Sequence, residues 1–144
     1  MKLSYEFDYL LFGQVMELVH LDPYYVNVTT GSHTNSVYLA IKHNKCIPHY
    51  KDGALLGFCT YGFFTEEELN TRTWDGDTVY AREQGGSIYF PKFQCRAGRK
   101  EVTTFIRNIQ LYMSQKYPEI DTAVGLRVYP EGATRKEKWY RKSA

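Results

Sequence analysis

The residues with the clearest chemical potential form a basic turn in the C-terminal third of the chain. Arg96-Ala97-Gly98-Arg99-Lys100 follows the apolar stretch 87–95 and precedes a strongly amphipathic stretch. A glycine lets backbone N–H groups approach a ligand closely, and guanidinium groups form charge-assisted hydrogen bonds with phosphate. The start of a helix also attracts anions. Arg96, Gly98, Arg99 and Lys100 are therefore predicted to bind a phosphate-bearing cofactor; the alternative is ordinary connecting structure in a solvated loop.

The segments around this turn are predicted to be a strand, a helix and a second strand. Pro91 lies within the apolar strand 87–95 and predicts a bulge there, because proline cannot donate a ladder hydrogen bond. Apolar residues at helical spacing predict a helix from about Lys100 to Lys116. A strand over 122–129 follows. Two strands joined by such a helix should be parallel. A bulged strand beside the turn would open a substrate cleft.

Up to residue 41, the chain is predicted to form a helix, a loop and a short helix. Apolar spacing predicts a first helix from about Tyr5 to His20. Residues 26–35 are rich in Thr, Ser, Asn and Gly, which indicates the end of a strand and a loop. Residues 37–41 fit a short helix or a strand, and the short helix is favoured.

The middle of the chain carries strong local signals. Asp52-Gly53 between two β-rich runs indicates a hairpin. Thr65 and Glu68 have the spacing of a capping box that opens a short helix. Residues 74–86 are polar and glycine-rich, which predicts a surface excursion. Together these elements predict an α/β fold with a mixed, mostly antiparallel sheet flanked by helices.

Composition limits the class of protein. A chain of 144 residues with 43% apolar residues suits one domain, spanning residues 1–144. The formal net charge of +2 is too small to argue for nucleic acid. Cys46, Cys59 and Cys95 have no disulfide or zinc-ligand spacing, and no histidine pair has metal-ligand spacing, so no metal is expected. With no apolar stretch of membrane-spanning length, the protein is predicted to be cytoplasmic, or in the virion if viral.

The order of elements resembles the GNAT acyltransferase superfamily, in which a bulged strand leads into a glycine-containing turn and a helix. A closer resemblance, over most of the chain, is to the toxin-activating lysine acyltransferases, which attach fatty acyl groups to RTX protoxins. It is carried by short motifs in a kept order: Phe12-Gly13-Gln14-Val15, Asp22-Pro23-Tyr24-Tyr25, Gly57-Phe58-Cys59, Gly98, Tyr117-Pro118 and Arg127-Val128-Tyr129-Pro130.

This resemblance implies acyl transfer from acyl-coenzyme A or acyl-carrier protein to a lysine or other amine. The turn from Arg96 to Lys100 would hold the donor phosphate. Tyr140, in a segment that resembles the helix after the second late strand, would protonate the leaving thiolate; alternatively it docks the tail to the core. The family's loop histidine corresponds to Tyr25 here, and its strand aspartate is missing, with Lys92 near that position. His33 is the only histidine worth testing as a substitute base.

A second interpretation is a catalytically inactive GNAT-like binding or assembly module, such as a phage-encoded structural or accessory protein. The missing histidine and aspartate favour it. The basic and aromatic segment 135–142 would then dock a protein partner, or grip nucleic acid through phosphates and stacking. This last segment is predicted to be a basic helix or an extended tail.

Overall fold

The computed structural model describes residues 7–21, 30–96, 98–119, 122–128 and 134–140, with backbone alone for 30–33, 122–128 and 134–140. The elements are α1 (Tyr9–Leu21), α2 (Thr30–Lys42), β1 (Cys46–Lys51), β2 (Ala54–Phe64), α3 (Glu66–Thr71), α4 (Gly76–Ala81), β3 (Ser87–Cys95), α5 (Arg99–Lys116), β4 (Thr122–Val128) and β5 (Thr134–Tyr140). The strands form one sheet in the order β1-β2-β3-β4-β5. Its neighbours are antiparallel except for the parallel pair β3 and β4. The predicted α/β class and the predicted parallel pair are confirmed.

The predicted hairpin and capping box are both present. Asp52 and Gly53 have φ angles of 52° and 82°, so both central residues of the turn are left-handed, as a two-residue hairpin that follows the strand twist requires. The Thr65 hydroxyl accepts the Glu68 N–H at 3.1 Å, and the Glu68 carboxylate accepts the Thr65 N–H at 2.7 Å. These reciprocal bonds satisfy backbone donors at the start of α3.

The first two helices differ from the prediction at their boundaries. Helix α1 begins at Tyr9 and not near Tyr5, because the Asp8 carboxylate caps it by accepting the Leu11 N–H at 2.9 Å. The predicted loop over 26–35 is wrong for residues 30–35, which belong to α2, while 26–29 lie outside the described residues. Val37 and Ala40 are fully buried, and their packing outweighs the weak helix propensity of the polar residues before them.

The surface excursion predicted over residues 74–86 is wrong in its centre. Helix α4 begins there, with the Asp75 carboxylate accepting the Thr78 N–H at 3.3 Å. Val79 and Tyr80 are buried. The Tyr80 hydroxyl lies 3.0 Å from the Thr60 hydroxyl, so this short helix is fastened to the sheet by a buried hydrogen bond.

The sheet is covered on both faces. Alternate residues of β2, namely Cys59, Tyr61 and Phe63, pack with the buried face of α5, where Phe105, Ile109 and Met113 lie. The intervening residues of β2 face the opposite layer, where Phe58 packs against α1 and α2 and Phe64 against α2 and α4. The core is thus two apolar layers separated by one sheet, the arrangement that period-two alternation produces.

The C-terminal segment is a strand. Residues 134–140 form β5, which pairs antiparallel with β4 from Thr122↔Tyr140 to Val128↔Thr134. Of the two predicted forms, the extended one is observed, and it is part of the sheet. Tyr140 therefore does not lie on the helix that the resemblance implied.

Candidate functional site

Strand β3 is paired differently along its two halves. Ile88, Tyr89 and Phe90 pair with Ala123–Gly125 of β4, and Ile88 and Tyr89 also pair with β2 on the other side. Within the described residues, 92–95 pair with β2 alone and 126–128 pair with β5 alone. The ladder between the two parallel strands therefore ends at Phe90 and Gly125. We call the gap between residues 91–95 and 126–128 the wedge.

A bulge in β3 lies where the wedge begins. Thr60 is paired with Lys92 and Gly62 with Tyr89, so Phe90 and Pro91 together face Tyr61. The bulge predicted from Pro91 is confirmed. An extra residue bends its strand and increases the local twist, and this bulge lies where the β3–β4 ladder ends.

The four predicted cofactor-binding residues lie together at the open end of the wedge. Arg96, Gly98, Arg99 and Lys100 are all exposed. Gly98 is the N-cap of α5 and provides no side-chain cap. In the part of the chain that the structure describes, the N–H groups of Arg99 and Lys100 have no hydrogen-bond partner. Two backbone donors and three cationic side chains thus meet at one helix start.

Neither the backbone conformation nor crowding requires a glycine at position 98. Its φ of −67° and ψ of 172° are accessible to any residue. A Cβ at this position would have no heavy atom within 4 Å. The absence of a side chain leaves the first N–H groups of α5 open to the surroundings.

A cluster of charged side chains, which was not predicted from the sequence, connects the start of α5 to the β1–β2 hairpin. Glu101, in the first turn of α5, accepts a hydrogen bond from Lys51 Nζ at 2.6 Å, and its second oxygen lies 3.1 Å from His49 Nε2. The hydrogen bond from Lys51, and then that with His49, lowers the pKa of Glu101 below its ordinary value. His49 is 7% exposed and stacks on Phe105 with ring centroids 4.9 Å apart. The paired residues are 50 and 52 positions apart in the chain, and no local motif links them.

Lys92 lies at the inner end of the wedge, directly after the bulge. Burial lowers its pKa to about 8. Residue alternation places Lys92 on the same face of β3 as Gln94, and its register partner on β2 is Thr60. The Gln94 amide donates to the Leu18 carbonyl at 2.6 Å, whereas its buried Oε1 has no partner among the described residues.

The remaining predicted residues are not brought to the turn. Tyr140 pairs with Thr122, at the start of β4, whereas the turn follows the end of β3. At about 3.3 Å per strand residue the two lie roughly 25 Å apart along the sheet. The catalytic role of Tyr140 stays a prediction. The backbone of His33 lies in α2 and not in a loop, and Tyr25 lies outside the described residues.

The comparisons with known proteins assign no family to this chain. No protein-family model matches it, and no curated protein matches it either. Across the described ranges, no three His, Cys, Asp or Glu side chains lie close enough to hold a metal ion. Helices that combine the length and the apolar character needed to cross a membrane are likewise not found in those ranges. The three cysteines are free thiols, and burial raises the pKa of Cys46 to about 12.

Proposed function

We propose that the protein transfers an acyl group from a thioester donor, acyl-coenzyme A or acyl-carrier protein, to a lysine or other amine. The observation that carries the proposal is the wedge between two parallel strands that opens onto an exposed basic turn. Ligands of α/β sheets bind at the carboxyl ends of parallel strands, which is where this wedge lies. This arrangement would suit both the phosphate of a thioester donor and the arm that joins the phosphate to the thioester.

The turn suits the donor phosphate. The N–H groups of Arg99 and Lys100, which have no hydrogen-bond partner among the described residues, lie at the positive end of the α5 dipole, and Arg96 adds a third cation. Cations alone at a helix start oppose the dipole, so an anion between them would relieve that repulsion. Glu101 is already held by Lys51 and His49, which leaves the cations of the turn without a carboxylate of their own among the described contacts.

The wedge suits the arm that joins phosphate to thioester. Beyond Phe90, the described residues of β3 form no ladder with β4. An extended strand edge favours a ligand with amides of its own. Acyl transfer requires mainly positioning and proton transfer, and Tyr140 is the proton donor that the resemblance suggests.

The proposal is tested by thermal unfolding with coenzyme A on two variants of one residue. Gly98→Asp places a carboxylate at the N-cap, where it suits the helix but repels phosphate. Gly98→Ala is the matched control, since its Cβ has open space. At about a hundredfold excess of coenzyme A over its Kd, the wild type and Gly98→Ala should gain roughly 2.7 kcal/mol.

Gly98→Asp should show no such gain while unfolding at a similar temperature without ligand. If coenzyme A and acyl-coenzyme A raise the melting temperature of neither the wild type nor the alanine variant, the proposed phosphate site is refuted. An equal gain in the aspartate variant would place the ligand elsewhere.

A specific observation favours the second candidate, a binding or assembly module. Tyr9, Leu10 and Tyr38 are 63%, 73% and 41% exposed, and Phe7 packs edge-on against Tyr9 with centroids 4.8 Å apart. Exposed apolar patches commonly mark protein interfaces. Leu10→Glu should leave coenzyme A binding intact. If the second candidate holds, this variant abolishes self-association in sedimentation velocity or capture of a protein partner.

A further inference from the structure

We propose that Lys92 is itself acylated by the thioester donor, so that the protein carries a self-acylation site at the inner end of the wedge. This inference rests on the proposed function and adds to it the first amine that receives the acyl group. The candidate substrate is an acyl thioester, and the product is an amide on the Lys92 side chain.

The position of Lys92 is the first argument. Phe90 is the last residue of β3 paired with β4 in the described chain, and Lys92 follows two residues later, beyond the bulge. A donor whose phosphate lies at the turn and whose arm follows β3 would bring its thioester toward this inner end. Lys92 is thus the amine of β3 that the wedge places in the path of the donor.

The protonation of Lys92 is the second argument. Its side chain is half-buried, and burial lowers its pKa from 10.5 to about 8. At about pH 7.5 such an amine has a neutral fraction on the order of a hundredfold larger than that of an exposed lysine. The neutral amine is the nucleophile, and desolvated lysines serve in this way in enzymes.

Gln94 provides an independent observation on the same face of β3. It is 5% exposed, and its Nε2 is held by the Leu18 carbonyl at 2.6 Å, which fixes the orientation of the amide. Its Oε1 is therefore a buried acceptor with no donor among the described residues. A buried acceptor without a donor is destabilising, and an amide N–H of a bound donor arm would remove that penalty.

The reaction balances without any co-reactant. The Lys92 Nζ lone pair attacks the thioester carbonyl carbon and forms a C–N bond. The tetrahedral intermediate then breaks its C–S bond. The proton that Nζ loses passes to the leaving thiolate, so the products are N-acyl-Lys92 and a free thiol.

The test is acylation of the full chain by octanoyl-coenzyme A, followed by intact mass and peptide mapping. We expect one octanoyl group, on the peptide that contains Lys92, formed at least about tenfold faster than on any other lysine. Lys92→Arg should abolish this modification. Lys42→Arg, at an exposed lysine at the end of α2, is the matched control and should be acylated like the wild type.

A second measurement keeps the inference separate from the proposed function and needs no variant. Competitive labelling with trace acetic anhydride reports the reactivity of each lysine in the native chain. Selective reaction at Lys92 supports the reactive amine even when coenzyme A does not bind. Binding of coenzyme A without octanoylation of Lys92 overturns the self-acylation site and leaves the proposed function in place. Octanoyl groups spread over exposed lysines, equally in Lys92→Arg, would also overturn it.

Discussion

The two halves of β3 illustrate two different tasks in one strand. Ile88, Tyr89 and Phe90 are buried and have a strand on each side. Residues 91–95 keep β2 on one side, carry a partly buried lysine and end in an exposed basic turn. The first half has the features of a core strand, and the second half carries the ligand site that we propose.

This contrast indicates where stability and function separate. Apolar burial stabilises a domain in proportion to the area removed from water, so the first half of β3 should dominate the free energy of unfolding. Segments that handle ligands are drawn from less stable parts of a fold. Substitutions in the first half should therefore change stability, and those in the second half should change binding.

The largest effect is expected for Ile88→Ala. Ile88 is 1% exposed and packs in the cluster that includes Phe105 and Ile109. Its truncation should lower the free energy of unfolding by about 2–5 kcal/mol, because it removes buried methyl groups and leaves a cavity. Urea unfolding measures this, with Arg96→Ala as the control from the other half, expected within roughly 0.5 kcal/mol of wild type. Similar losses of unfolding free energy in both variants would contradict the proposed separation of stability and binding between the two halves of β3.

An intermediate effect is expected from adding one methyl group at a glycine. A Cβ on Gly62, which pairs with Tyr89, would lie 2.8 Å from the Val79 carbonyl oxygen and 3.1 Å from the Phe64 ring. Gly62→Ala should thus lower the free energy of unfolding by about 1–3 kcal/mol. Gly98→Ala has open space and should change it by less than about 1 kcal/mol. Thermal or urea unfolding of the pair measures the difference, and a larger loss at Gly98 would show that the turn is tightly packed.

The smallest effect concerns pH and the cluster around Glu101. Because the folded pKa of Glu101 is lowered, its contribution to stability is present above the unfolded pKa and is lost as pH falls through the folded pKa. The wild type should exceed Glu101→Gln in stability at neutral pH, and this advantage should shrink and then vanish as pH falls below the ordinary pKa of a glutamate and through the lowered folded pKa. Urea midpoints across this range measure it. A difference that does not change with pH would show that the carboxylate charge plays no part.

Local signals predicted much of the fold. Asp52-Gly53 fixes its turn through left-handed backbone angles, and Thr65 with Glu68 closes its own hydrogen bonds, so neither depends on the rest of the chain. The amphipathic period of α5 predicted its buried face, where Phe105 and Ile109 lie. Strand β3 was predicted over its observed residues because apolar residues predominate there.

Elements stabilised by distant contacts were predicted less well. The start of α2 is polar, and α4 has only six residues, so neither carries enough local preference to be a helix alone. Val37 and Tyr80 stabilise them by packing against the sheet. Such stabilisation depends on which strands lie underneath, which periodicity does not show.

The sequence likewise predicted the local features of the candidate site and missed those that depend on distant contacts. The turn was predicted because its residues are consecutive, and Pro91 predicted the bulge. The pairing of His49 with Glu101 and the buried Oε1 of Gln94 depend on contacts between segments far apart in the chain. Only the register of β1, β2 and β3 brings them near the turn.

The short parallel pairing has a mechanical consequence. Between the sub-sheets β1-β2-β3 and β4-β5, the described ladder consists of Ile88–Phe90 against Ala123–Gly125. A force applied across the strands would be borne mainly by these three residue pairs. A molecule that binds between residues 91–95 and 126–128 and contacts both strands would add a second connection. Its binding would therefore restrict the motion of the two sub-sheets relative to each other.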